Sequence, residues 1–179
     1  EIIESLLEAL ALQIGSEVSY NELAKLMGID QITVRRYIDL LEKTFVVFRL
    51  RSFSRNVRNE LKKSRKIYFY DNGIRNAILS NFSDIELRTD KGALFENFLV
   101  SERNKFLNNH QVYTNKFFWR TTQQQEIDYI EEIDGQISAY EFKWNPKSKK
   151  KIPLTFIKAY PESNTELIHT DNYFDFLLR

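Results

Sequence analysis

The residues best suited to chemistry lie in one stretch, Glu126-Ile127-Asp128-Tyr129-Ile130-Glu131-Glu132-Ile133-Asp134-Gly135-Gln136-Ile137-Ser138-Ala139-Tyr140-Glu141-Phe142-Lys143. Asp-Gly between two alternating runs is a strong signal for a two-residue hairpin turn. With Asp134 and Gly135 as the loop, Ile133 pairs with Gln136, and counting back sets Asp128 opposite Glu141 and Glu126 opposite Lys143. Side chains alternate along a strand, so Asp128, Glu141 and Lys143 share one face. Ile127, Tyr129, Tyr140 and Phe142 share the other, where a helix can cover them. Opposed side chains hold their Cβ atoms ~4.5–5.5 Å apart, and like charges at that distance repel. Two carboxylates placed so need a cation. Lys143 supplies part of it, and a divalent metal supplies more. Mg²⁺ suits the set, because it binds through one or two carboxylates, keeps several waters and accepts substrate phosphate. Such a metal acidifies a bound water and polarises a phosphate, while the lysine positions that water or meets developing charge. A preceding helix can add one more carboxylate, from Glu96 or Glu102. The bland alternative is a solvent-facing hairpin with charges on its exposed side.

The elements that must position these residues are legible from periodicity. The pattern predicts a helix over 92–107, with Leu94, Phe95, Phe98, Leu99 and Phe106 on one face. Strands are predicted at 111–120, 126–133 and 136–144, a helix from Ile152 to Tyr160, and a strand at 167–169 before a short apolar end. That is a compact α/β unit. Upstream, Ile3, Leu6, Leu7, Leu10 and Ala11 predict a helix ended by Gly15. Ser19 with Glu22 forms a capping box for a helix from Tyr20 to Met27. Gly28 stops it, and Asp30 caps a third helix from Gln31 to Lys43. A short Gly-containing turn between two helices is the form of a helix-turn-helix. Ala24, Ile29, Val34, Ile38 and Leu41 fill its core, which leaves Gln31, Thr33, Arg35 and Arg36 on or near the outer side of the second helix, able to meet bases or phosphates. Strands at 45–50 and 67–70 then form a wing, and Asp71-Asn72-Gly73 turns into a short helix ending near Leu79. The polar connection at 80–91 divides the chain into domains 1–85 and 86–179.

Composition bounds the reading. The chain has 179 residues, 42% hydrophobic, with only 5 Gly and 3 Pro, so it is neither low-complexity nor loop-dominated. It has no cysteine, which excludes disulfides, thiolate metal sites and cysteine nucleophiles. The net charge is +1, so any polyanion must be met by local runs. One run comprises Arg49, Arg51, Arg55, Arg58, Lys62, Lys63, Arg65 and Lys66. The other comprises Lys147, Lys149, Lys150 and Lys151, just beyond Lys143. Each can hold a phosphate backbone or stand as a solvated loop. The acids Asp30, Asp39 and Glu42 offset the basic positions of the third helix. No apolar run reaches the ~20 residues of a membrane span, and the expected location is cytoplasmic. The start, Glu1-Ile2-Ile3-Glu4, is neither an initiator Met nor a signal peptide, and the chain reads as a piece of something longer. His110 and His169 are isolated and read as no ligands. Trp119 and Trp144 read as packing residues.

With the hairpin in place the chain resembles the C-terminal region of a group of prokaryotic AAA-type ATPases, in which a P-loop domain precedes a winged helix and a PD-(D/E)XK nuclease-like domain. The resemblance rests on Ile67-Tyr68-Phe69-Tyr70-Asp71-Asn72-Gly73, Gly92-Ala93-Leu94-Phe95-Glu96-Asn97-Phe98, Trp119-Arg120-Thr121, Glu126-Ile127-Asp128-Tyr129 and Tyr140-Glu141-Phe142-Lys143-Trp144. It covers the chain from about Ser19 to Pro161. It implies an α/β fold with an N-terminal winged helix-turn-helix and a C-terminal restriction-endonuclease-like αβββαβ domain. It implies metal-ligand roles for Glu96, Asp128 and Glu141, favouring Glu96 over Glu102, and the catalytic lysine role for Lys143. The proline that names the class is replaced by Ile127. No G-x-x-x-x-G-K-[ST] occurs, so these residues do not bind ATP by that route, and a covalently linked P-loop ATPase domain is expected upstream. Two functions follow as expectations. One is a Mg²⁺-dependent DNA phosphodiesterase. The other is a non-catalytic module that binds DNA or protein and regulates the ATPase.

Overall fold

A computed structural model describes residues 1–55, 65–148 and 151–179. Within the basic runs, Arg58, Lys62, Lys63, Lys149 and Lys150 therefore lie outside the described residues. The described residues form a mixed α/β structure with seven α-helices, α1 (Ile2–Leu12), α2 (Tyr20–Met27), α3 (Gln31–Lys43), α4 (Asn72–Ile78), α5 (Lys91–Asn109), α6 (Leu154–Ala159) and α7 (Tyr173–Leu178). Six strands, β1 (Val47–Ser52), β2 (Arg65–Phe69), β3 (Asn115–Arg120), β4 (Glu126–Ile133), β5 (Gln136–Lys143) and β6 (Asn164–His169), are hydrogen-bonded in the order β2-β1-β3-β4-β5-β6. The chain divides into two compact units, Glu1–Arg49 with Ser64–Ser101, and Leu50–Lys63 with Glu102–Arg179. No helix among the described residues is long and apolar enough to cross a membrane.

The first unit begins with α1, which buries Leu6, Ala9, Leu10 and Ala11. Helix α2 runs over the predicted span, and the Ser19 hydroxyl accepts the Glu22 N–H at 3.3 Å. Asp30 caps α3 more strongly, accepting the Thr33 N–H at 2.9 Å and its hydroxyl at 2.7 Å. Leu23, Ala24, Val34, Ile38 and Leu41 form the core between these helices. Strand β1 starts at Val47, two residues later than the pattern suggested, because Phe45 takes a left-handed turn at φ 57°. Strand β2 buries Lys66 to Phe69 without alternation, so it is covered on both faces. Its edge is met by an antiparallel bridge between Glu17 and Lys66, with the Val18 N–H donating to the Arg65 carbonyl at 2.9 Å. From the first half of α5, the buried Asn97 amide clasps the Phe69 backbone, accepting its N–H at 2.8 Å and donating to its carbonyl at 3.0 Å.

In the second unit β3, β4 and β5 form an antiparallel meander, flanked by parallel pairings of β1 with β3 and of β5 with β6. The strand expected only as a wing thus ends by pairing Arg51 with Phe117 and Ser52 with Phe118. One aromatic cluster gathers Tyr129, Tyr140 and Phe142 around Phe176 of α7, with ring centroids 6.2, 4.8 and 5.5 Å away. Another core cluster joins Trp119, Ile127, Ile130 and Ala139 to Phe156 and Tyr160. The buried pair Arg103–Glu131 is bidentate, at 2.6 and 2.9 Å. Arg103 also donates to the carbonyls of Phe176 and Arg179, where α7 runs out of backbone partners. Burial opposes the Arg103 charge, but the Glu131 carboxylate outweighs it and raises the guanidinium pKa.

Candidate functional site

The β4–β5 hairpin closes through Asp134 and Gly135 at φ 50° and 85°. Two successive positive φ values are what a type I′ turn requires. The register then runs from Ile133↔Gln136 through Tyr129↔Tyr140, as the sequence predicts. Asp128 and Glu141 each lie one residue beyond the last of these pairs.

At that step the sheet is irregular. Strand β3 pairs Phe117 with Ile130 but Trp119 with Ile127, so two steps on β3 match three on β4. The extra residue lies at Asp128–Tyr129. Bulges of this kind re-aim a side chain and strengthen local twist. Here the Asp128 carboxylate takes over a ladder bond, its Oδ2 accepting the Phe142 N–H at 2.8 Å. One expectation is corrected as a result. Ile127 packs with the Trp119 cluster and not with Tyr129, Tyr140 and Phe142. On its β3 side Glu126 pairs with Arg120, Oε2 to Nη1 3.6 Å.

The result is a compact group of two carboxyls and one amine. Lys143 Nζ lies 2.8 Å from Glu141 Oε1 and 3.8 Å from Asp128 Oδ2, and donates to the Phe142 carbonyl at 2.6 Å. The Glu141 side chain is fully buried and that of Asp128 is 7% exposed, whereas 27% of the Lys143 side chain is exposed. Solvent therefore reaches the group from the lysine side. Hard oxygen donors held this way suit Mg²⁺ or Mn²⁺ better than softer ions. Among the described residues, no three His, Asp or Glu side chains gather closely enough to hold a metal ion.

Glu96 belongs to the first unit. Its Oε1 accepts the Tyr68 hydroxyl at 2.6 Å and Lys66 Nζ at 3.1 Å. Glu102, the other acid on α5, is ion-paired with Lys105 at 2.6 Å. Sequence reading set His169 aside, yet β6 aligns it with Lys143 in parallel register. Its Nδ1 accepts the Asp171 N–H at 3.2 Å, which leaves Nε2 as the protonated nitrogen of the neutral ring. No local pattern pointed to this, because the alignment is made by strand pairing. Of the residues expected at nucleic acid, Gln31, Arg35, Arg36 and Lys147 are exposed. Thr33 is partly buried and bonded to Asp30. Nearby, Arg49 is ion-paired with Asp39 at 2.7 Å and with Glu42. Burial works against its charge, and the Glu42 carboxylate more than offsets that and raises its pKa.

Two families match the chain, both described as domains of unknown function: DUF8612 over residues 1–85 and DUF4143 over residues 91–175. The latter is common in C-terminal regions associated with AAA-type ATPases. Among curated proteins the chain is similar to Uncharacterized protein Mb2031c of Mycobacterium bovis and Uncharacterized protein Rv2008c of Mycobacterium tuberculosis. Each is 31% identical over 131 residues, 72% of this chain and 29% of the relative. The chain thus spans about three tenths of the length of these relatives. No solved structure matches it.

Proposed function

We propose that the β4–β5 hairpin carries a Mg²⁺-assisted phosphodiesterase site acting on DNA, in a PD-(D/E)XK-like domain linked to a winged helix-turn-helix. The observation that carries this reading is the meeting of Asp128, Glu141 and Lys143 at the bulge. Two carboxyls there face one partly exposed amine.

Asp128 and Glu141 would hold the cation, their oxygens already fixed by burial and by the Phe142 N–H bond. When bound, Mg²⁺ supplies charge neutralisation and an acidified water. Lys143 reaches the group from the solvent side, where a phosphate arrives. Its ammonium orients the attacking water and meets the negative charge that grows on the phosphoryl oxygens. Water adds to phosphorus, one P–O ester bond breaks, and the leaving oxygen is protonated to a hydroxyl end. Glu96, the third ligand that the resemblance implies, is held by Lys66 and Tyr68. In the first unit, the α2–α3 pair followed by β1 and β2 supports the winged-helix reading, and the exposed Arg35 and Arg36 are its phosphate contacts. An upstream ATPase domain fits the greater length of the relatives.

The test is cleavage of labelled single- and double-stranded DNA and RNA in Mg²⁺ and in Mn²⁺. Wild-type protein is expected to cleave DNA, with a loss of roughly 10²–10³-fold in Lys143→Met and in Glu141→Gln, the scale of losing one electrostatic contact to the transition state. Equal cleavage by Lys143→Met sinks the reading. One observation favours a second function, a non-catalytic regulatory module. Glu141 is fully buried against Lys143, so the lysine can serve as a permanent internal counter-ion. On that reading the variants change stability alone, and wild-type protein cleaves nothing.

A further inference from the structure

Neighbouring parallel strands end on the same edge of a sheet, and ligands of open α/β sheets bind outside such carboxyl ends. Strand β5 ends at Lys143 and β6 at His169, and these two residues are paired in parallel register. Side chains alternate along a strand and neighbouring strands lie about 4.8 Å apart, so paired residues stand side by side on one face. His169 therefore stands beside Lys143, on the face that carries Glu141. The turn after β6 holds it there. The Asn172 side-chain amide accepts the His169 N–H at 2.7 Å and donates to the Leu167 carbonyl at 3.0 Å. The Asn172 N–H returns to the His169 carbonyl at 3.1 Å. The ring itself is fixed by the Asp171 N–H, which donates to Nδ1 at 3.2 Å. The accepting nitrogen carries no proton, so Nε2 is the donor. The side chain is half-buried, and among the described residues Nε2 meets no acceptor.

Lys143 is engaged differently. Its ammonium donates to the Phe142 carbonyl at 2.6 Å and lies 2.8 Å from Glu141 Oε1 and 3.8 Å from Asp128 Oδ2. An ammonium has three donors, and the hairpin group offers an acceptor to each. A phosphate arriving at this edge needs one more donor. We propose that the His169 Nε2–H is that donor, hydrogen-bonding a non-bridging oxygen of a nucleic-acid phosphodiester and setting its position against the hairpin group. This rests on the reading of the hairpin as a phosphodiester site and adds the residue that holds the strand. A hydrogen bond to an ionised phosphate is stronger than one between neutral groups, and phosphate contacts position a nucleic acid without reading its sequence. His169 is thus a substrate-binding residue, and its loss raises KM with kcat little changed.

The probe is a short fluorescein-labelled DNA, titrated by anisotropy against the 179-residue chain in Ca²⁺, with steady-state cleavage followed in Mg²⁺ and in Mn²⁺. Two amide variants separate binding from a structural role. Glutamine sets a donor near the place of Nε2 and gives up the Nδ1 acceptor. Asparagine keeps an acceptor near Nδ1 and sets no donor at Nε2. His169→Gln should bind like wild type, and His169→Ala and His169→Asn about tenfold more weakly, the scale of one hydrogen bond to a charged group. A purely structural role reverses that order, with Asn near wild type and Gln weak. The reversal overturns the proposal. So do equal binding by His169→Ala, no binding of the probe by wild-type protein, and competition by micromolar inorganic phosphate, which assigns the site to a small anion. The two readings fail separately. DNA binding that depends on His169 with no cleavage removes the phosphodiesterase and keeps the anchor. Cleavage with KM unchanged in His169→Ala removes the anchor and keeps the phosphodiesterase.

Discussion

Two lysine–carboxylate groups, one in each unit, are made of the same chemistry and differ in what surrounds them. In the first, Lys66 is 1% exposed and pairs with Glu96, which also accepts the Tyr68 hydroxyl. In the second, Lys143 keeps 27% of its side chain in solvent and faces two carboxyls. The first lysine is closed off from solvent. The second has an open approach. Residue type alone does not separate the two lysines. The side from which water enters does.

The largest expected effect tests the closed group. Lys66→Met removes the Lys66 partner of Glu96, and breaking a buried pair from one side costs about 3–5 kcal/mol. Denaturant unfolding should show that loss, and Lys66→Met/Glu96→Leu should recover most of it. Lys143→Met should cost less, because water replaces the ammonium. If Lys143→Met proves the more damaging, the contrast between closed and open groups fails.

Metal linkage gives the next effect. A ligand that binds only the folded state stabilises it by RT ln(1 + [L]/Kd), about 2.7 kcal/mol at a hundredfold excess over Kd. Mg²⁺ should raise the unfolding free energy of wild-type protein by about that amount, and Asp128→Asn and Glu141→Gln should abolish the gain. Glu96→Gln should keep it, since the Glu96 carboxylate is held by Lys66 and Tyr68. Loss of the gain in Glu96→Gln would show that Glu96 contributes to metal binding, as the resemblance implies.

How much of this could be read beforehand differs between the groups for a physical reason. The hairpin register follows from two turn residues and strict alternation, both local, and it holds to Tyr129↔Tyr140. The bulge at Asp128 is set by how β3 packs Trp119 against Ile127, which no local pattern records. The helices α2 and α3 were legible because their caps are written in Ser19 and Asp30. The final helix α7 was read only as an apolar end, since six residues hold too few turns to show a period. The partners of Glu96 were the least legible. Lys66 and Tyr68 alternate on a strand recognised as such, but only tertiary packing brings α5 to that strand.

The smallest effect comes from two glycines. Gly15 has φ +74°, and a Cβ there would stand 3.3–3.4 Å from the Glu96 carboxyl atoms. Gly135 has φ +85°, and a Cβ there would meet nothing within 4 Å. Alanine at either position adopts a left-handed conformation at a cost of about 1–2 kcal/mol. Only Gly15→Ala also crowds a carboxylate fixed by two partners, so the difference between the two variants isolates the rigidity of the first group. Gly15→Ala should be the more destabilising by a measurable margin in denaturant unfolding. The margin should vanish when both substitutions are compared in a Glu96→Ala background, where the added methyl has open space. An undiminished margin there would show that the strain lies in the backbone around Gly15, and that the Lys66–Glu96–Tyr68 group yields more readily than its burial implies.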